Sequence, residues 1–388
     1  MKVPFDFSLA RWRSVFLLLT LMGLCGGCSR TPAVPSPAGP APLPPLSGAP
    51  PIEFSITEIS LEEAEPYYQD PISHEKLSGI KSITRSGFKS VHILPRFGPE
   101  DGELTSGVYL VMPPGKALVG YLRLVPTLTY PHEFGLLATL NYVPIPLQFN
   151  GQVQDLPRLH LERGSERAFR FRLPALPEGL YTLVLTLIIE PEYEFDISTP
   201  GKPFDPVQTE TQSFRSAPFE FGLLLWVTAQ EPHTPLDWPE QARYLPPEET
   251  MGHMDTTMVK AKPTAGEYGV LLTRDTVRAG ESVTYYARFA APPSTATADI
   301  PIRTLVFWDD HPTQSDLLAV PPQVAMAADY VPYVIWVPDL AEGEHTLMVL
   351  AYPYPYYLRS WRGGSEWHPE ASTYSMLLTR IPVTVVAP

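Results

Sequence analysis

Phe169-Arg170-Phe171-Arg172-Leu173-Pro174-Ala175-Leu176-Pro177-Glu178-Gly179-Leu180-Tyr181-Thr182-Leu183 returns in altered form as Tyr333-Val334-Ile335-Trp336-Val337-Pro338-Asp339-Leu340-Ala341-Glu342-Gly343-Glu344-His345-Thr346-Leu347, at an offset of 164 residues. Upstream, Gly115-Lys116-Ala117-Leu118-Val119-Gly120-Tyr121-Leu122-Arg123-Leu124 matches Gly280-Glu281-Ser282-Val283-Thr284-Tyr285-Tyr286-Ala287-Arg288-Phe289 at an offset of 165. Two distant segments that keep nearly one spacing read as tandem copies of a domain. In each copy a strand ends in Pro-x-Leu, turns at x-Glu-Gly and continues into an alternating strand, the glycine supplying the positive φ that such a turn demands.

Working outward, short apolar and β-branched runs broken by Pro and Gly leave little room for long helices. Leu180 to Ile189, Phe221 to Val227, Val283 to Phe289, His345 to Ala351 and Ile381 to Val386 are the clearest strands, and only Pro239 to Tyr244, behind a cap at Asp237, reads as a short helix. The fold class is all-β. The strand, Pro-x-Leu-x-Glu-Gly turn, strand unit resembles the late hairpin of bacterial immunoglobulin-like and fibronectin-type-III-like domains, which implies two tandem immunoglobulin-like β-sandwiches. The expected boundaries are 52–230 for the first, 231–263 for a Pro-rich connector and 264–388 for the second.

Ahead of them lies a different kind of sequence. Lys2, Arg11 and Arg13 make the amino end basic, Val15 to Leu24 form an apolar run too short to span a bilayer, and Leu24-Cys25-Gly26-Gly27-Cys28 follows. These residues resemble the signal peptide and lipobox of bacterial lipoproteins, with 1–27 as leader and Cys28 as the lipid acceptor; Leu24 directly before Cys25 is too bulky for that cysteine to serve. The resemblance implies a palmitate-bearing, membrane-tethered cell-envelope protein, at a cell membrane or outer membrane and facing the periplasm or the exterior. From Thr31 to Pro51 the chain is rich in Pro, Ala, Gly and Ser, so residues 28–51 read as a lipidated cysteine and a disordered, extended stalk. At about 3.1 Å per residue its reach is on the order of 60 Å.

The only cysteines are Cys25 and Cys28, which excludes disulfides, thiolate nucleophiles and cysteine-bound zinc from the rest of the chain. With 28 Lys and Arg against 42 Asp and Glu the net charge is −14, the wrong sign for nucleic acid as a partner. Gly-x-Ser-x-Gly, His-Glu-x-x-His and phosphate-binding glycine loops are missing, and His74-Glu75 and His132-Glu133 lack a second histidine at ligand spacing. The expectation is a protein that is not an enzyme and needs no cofactor and no metal.

Three constellations remain. Glu190, Glu192, Glu194 and Asp196 alternate along one side of an extended chain, as an edge-protecting acidic face or a calcium site. Asp309-Asp310-His311, with Asp316 nearby, offers acid, base or metal chemistry, or simply a turn. Tyr352, Tyr354 and Tyr356, separated by prolines, share one side of an extended segment, and Trp361, Trp367 and His368 follow in a loop with Gly363-Gly364. Rings held at an edge or in a long loop can stack on sugars or a protein partner, or else cover the domain's own core or pack on the first domain. Tyr352, Tyr354, Tyr356, Trp361 and Trp367 are thus the candidate ligand-binding set, for an envelope protein or glycan. The competing readings are accessory domains of a polysaccharide- or wall-active enzyme, and a structural spacer.

Overall fold

The structure, a computed structural model, describes residues 53–69, 79, 90–189, 218–229, 243–244, 255–264, 269–290, 299–327, 329–353, 357–363, 366–371 and 376–387. The leader, Cys28, the Pro-rich stretch, Glu190 to Asp196, Tyr354 and Tyr356 lie outside these residues. Among the described residues no helix is long and apolar enough to cross a membrane.

The first sandwich is built from β1 (Phe54–Ile59), β2 (Val91–Pro99), β3 (Tyr109–Met112), β4 (Leu118–Pro126), β5 (His132–Leu140), β6 (Val143–Pro144), β7 (Leu147–Phe149), β8 (Gln152–Gln154), β9 (Arg158–Leu161), β10 (Arg167–Leu173), β11 (Gly179–Ile189) and β12 (Phe219–Val227). One sheet runs β2-β4-β10-β1-β7-β8, and the other runs β3-β12-β11-β5-β6 with β9 also on β5. Phe54, Phe97, Leu122, Phe134, Phe169, Phe171, Leu185 and Leu223 fill the space between them.

In the second sandwich β14 (Asp255–Val259), β16 (Ser282–Ala290) and β19 (Tyr330–Trp336) form one sheet. β15 (Asp275–Arg278), β17 (Ile300–Trp308), β18 (His311–Val320), β20 (Gly343–Pro353) and β23 (Met376–Val386) form the other, ordered β15-β23-β20-β17-β18. Strand by strand, β2-β4-β10 corresponds to β14-β16-β19 and β3-β12-β11-β5 to β15-β23-β20-β17, down to the parallel pairing of β3 with β12 and of β15 with β23. That order is the immunoglobulin-like one. The tandem β-sandwich reading of the sequence therefore holds, and its turn glycines Gly179 and Gly343 both have positive φ, 156° and 145°. Four expectations change. β14 falls in the stretch read as connector, so the second sandwich has begun by Asp255. Arg243–Tyr244 is not helical: it is a strand, β13, paired in parallel with β21 (Tyr357–Gly363). β21 in turn pairs antiparallel with β22 (Glu366–Ala371), Trp361 opposite His368 and Arg362 opposite Trp367, so the expected loop is a hairpin.

The fourth change concerns the strands after the Glu-Gly turns. They were expected to alternate, yet β11 is buried at every position from Thr182 to Ile189, and β20 at every position from Leu347 to Pro353. A strand in an antiparallel sheet with one wet face alternates; burial at successive residues means both faces are covered. Leu183, Leu185 and Leu187 point into the first core, and Leu347, Val349 and Ala351 into the second. The intervening residues meet each other. Leu137, Val184 and Ile188 of the first sandwich and Leu305, Phe307, Met348, Leu350, Tyr352 and Leu377 of the second belong to one apolar cluster, a third core between the two sandwiches. Both lie within one compact unit.

Candidate functional site

The third core is built from the same face of each copy. Applying the repeat spacing, Val184, Thr186 and Ile188 on β11 correspond to Met348, Leu350 and Tyr352 on β20, and the sheet register pairs Thr186 with Leu137 and Leu350 with Leu305. A contact between equivalent surfaces is the arrangement of a two-fold dimer, here made within one chain. At its centre the Thr186 hydroxyl lies 3.3 Å from the Tyr352 phenol, and the Tyr352 ring meets that of Tyr142 edge-on at 5.6 Å.

This settles Tyr352. It is 0% exposed, and burial pushes its phenol pKa up. Read from sequence as a ligand-binding ring, it serves instead as an interior anchor between the sandwiches, because Pro353 still belongs to β20 and carries Tyr352 within the sheet rather than into the loop beyond. Trp361 and Trp367 sit on β21 and β22, an insertion between β20 and β23 whose second strand passes close to β12 and β3 of the first sandwich.

The Asp309-Asp310-His311 motif is a two-residue hairpin turn, with Trp308 paired to His311 and positive φ at Asp309 (48°) and Asp310 (69°). Aspartate tolerates that region better than most residues because its short side chain bonds locally. Here Asp309 Oδ1 accepts from the Thr346 amide at 2.8 Å, and Asp309 Oδ2 is 2.5 Å from His345 Nδ1. The first copy has the same device: Asn141 and Tyr142 turn with φ of 51° and 60°, and Asn141 Oδ1 accepts from the Thr182 amide at 2.8 Å. The other two side chains of the motif, Asp310 and His311, cross to the first sandwich. Asp310 forms an ion pair with Arg158, and His311 Nδ1 lies 2.7 Å from Asp155 Oδ2. These contacts rim the apolar junction. Asp316 is directed elsewhere: its Oδ2 accepts from Gln314 Nε2 at 2.6 Å and from Tyr333 at 3.1 Å.

His345 was not singled out from the sequence. Burial alone would lower its pKa, but the Asp309 carboxylate and the Ala341 carbonyl, 2.8 Å from Nε2, outweigh burial and raise it. With an acceptor on each ring nitrogen, the doubly protonated imidazolium is the form that satisfies both. That leaves no free nitrogen to act as a base. His132 is buried, while its neighbour Glu133 meets His160 across β5 and β9 at 2.5 Å. Among the described residues no group of three His, Cys, Asp or Glu side chains converges as metal ligands would.

Neither a family model nor a curated protein matches the chain. Solved structures similar to it include the CARDB domain of a Pyrococcus furiosus protein, crystallised in complex with di-metal ions, at 12% identity over 39% of this chain and 99% of that one, with a TM-score of 0.19. Another is dimeric latent PorU from Porphyromonas gingivalis, at 12% identity over 78% of this chain but 21% of that one, again with a TM-score of 0.19. Likeness at that level carries no argument about activity; the chain is a tandem immunoglobulin-like β-sandwich protein by its own strand order.

Proposed function

We propose that this is a noncatalytic bacterial lipoprotein, tethered through Cys28 and a Pro-rich stalk at the cell envelope, which binds an envelope protein or glycan through its second sandwich. The observation that supports binding at that end is the expanded connection between β20 and β23: a hairpin carrying Trp361 and Trp367, joined by β13 of the connector, where a minimal sandwich would need a short turn. Binding residues concentrate on such insertions because the rigid sheets beneath them hold their shape. Tyr354 and Tyr356 belong to the same insertion and stay in the candidate set; Tyr352 leaves it.

The test is capture from envelope extracts, protein and polysaccharide separately, by the chain from Ser29 onward, alongside a variant with Tyr354→Ala, Tyr356→Ala, Trp361→Ala and Trp367→Ala and an unchanged melting curve. Loss of a specific partner in the variant supports this site. Equal capture by both moves the binding surface elsewhere, and no capture by either favours a spacer. Radiolabelled palmitate incorporation that disappears in Cys28→Ser tests the anchor.

A further inference from the structure

Among the described residues, the longer edge strands of the two sandwiches carry specific devices against pairing, with one exception. On β2, Pro95 and Pro99 have no N–H to offer, and Phe97 exchanges backbone hydrogen bonds with Thr105 at 3.0 and 2.8 Å. On β19, Pro332 lacks a donor and the Tyr330 amide is bonded to Asp329 Oδ1 at 2.7 Å. Further along β19 the Gln314 side-chain amide takes two more groups: its Oε1 accepts from the Trp336 N–H and its Nε2 donates to the Val334 carbonyl, each at 2.9 Å. On β9 the His160 carbonyl is bonded by Arg167. β3, β8, β14 and β15 have five residues or fewer. Proline, side-chain caps and shortness are how proteins keep sheet edges from pairing.

β18 differs. It is ten residues long, ends its sheet, and has its only proline, Pro312, near its start. From Gln314 to Val320 it carries one ionisable side chain, Asp316, whose carboxylate is turned to Gln314 and Tyr333. On the other face Leu317 is 53% exposed, among the most exposed large apolar residues described. In a chain with a net charge of −14 this edge strand is nearly free of charge, and on its outer face Leu317 lies beside Arg303 of β17, whose Nη1 donates to the Ser315 hydroxyl at 3.3 Å.

We infer that β18 is a self-association surface, on which a second copy of this chain adds its own β18 antiparallel about a two-fold axis at Leu317. That register sets Leu317 against Leu317 of the second copy, Asp316 against Leu318, Ser315 against Ala319 and Gln314 against Val320. No like charges meet, which self-pairing requires in so acidic a chain. The outward row Ser315, Leu317, Ala319 lies beside Leu305, Arg303 and Pro301 of β17, so at its Ser315 end the added strand adjoins the face that Leu305 and Phe307 bury in the junction. The two five-stranded sheets become one of ten strands, an isologous contact that closes on itself. This inference does not depend on the anchor or on the aromatic hairpin.

The test uses the chain from Ser29 to Pro388, which contains neither cysteine. Sedimentation equilibrium over a concentration series is expected to show a monomer–dimer equilibrium that Leu317→Arg abolishes and Leu61→Arg, at another exposed leucine, leaves unchanged. In Leu317→Cys, mild oxidation should yield a disulfide-linked dimer, whereas Leu61→Cys should not. A chain that stays monomeric throughout the series, or a dimer indifferent to Leu317→Arg and not trapped by Leu317→Cys, overturns the inference.

Discussion

Thr186 and Tyr352, 166 residues apart in the chain, meet at 3.3 Å in the middle of the contact between the two sandwiches, where both are fully buried. The pair is a polar contact at the centre of a largely apolar junction, and it makes the stability of one copy depend on the other. Replacing Tyr352 by Phe should cost about 1 kcal/mol, the usual worth of a hydrogen bond, and replacing it by Ala about 3 to 5 kcal/mol through the cavity left behind. Chemical denaturation should follow a single transition for both copies in the parent; two separated transitions would show that the junction does not couple them.

A charge placed on this surface should part the sandwiches without unfolding them. Val184→Lys puts an ammonium into the cluster that holds Met348, whose cross-strand neighbour on the same face is the buried Arg380, and a buried charge met by a like charge costs several kcal/mol. Solution X-ray scattering should report a larger radius of gyration with unchanged β-sheet circular dichroism.

The turn at Asp309 gives the protein a pH dependence of definite sign. Because the His345 pKa is raised in the folded chain, its contribution to stability is fully present below the ordinary histidine value, near 6.5, and is lost as pH rises through the raised one. Asp309→Asn keeps a side chain that tolerates positive φ and still accepts from the Thr346 amide, but removes the charge. It should lower the His345 pKa, measured by NMR titration, and flatten the fall in denaturation midpoint as pH rises above about 6.5.

Gln314→Ala should expose the Val334 carbonyl and the Trp336 amide at the edge of β19. The loss is expected at about 1 to 3 kcal/mol, and hydrogen exchange at Trp336 should accelerate while exchange on β16 stays slow. Gln314→Glu keeps the acceptor for Trp336 but turns repulsive towards the Val334 carbonyl and Asp316, so it should not restore protection.

The repeat was legible because the Glu-Gly turn and the glycines before β4 and β16 are backbone requirements, and those survive divergence. The junction was written in the same strands: Leu183 to Ile189 and Leu347 to Tyr352 are apolar at nearly every position, too much for sheets with a wet face. Taken as strong strand signals and nothing more, they concealed the third core, and with it the place of Tyr352. The likeness of Asn141-Tyr142 to Asp309-Asp310 could not be found by aligning residues, since only one side-chain oxygen and two positive φ values are common to them. The hairpin of β21 and β22 was missed because Gly363-Gly364 read as part of a loop, whereas Gly363 is the last residue of β21.

Among the described residues β1 has no counterpart in the second copy. It lies between β10, with which it pairs antiparallel from Ser55 to Ile59, and β7, with which it pairs in parallel from Phe54 to Ile56. A leash sewn to the rim of a cloth peels away one stitch at a time, whereas one woven through the middle holds along its whole length. Tension applied to the chain ahead of Phe54 falls on an inner strand and must rupture two rows of hydrogen bonds together, so the first sandwich is reinforced at the point where a tether would pull.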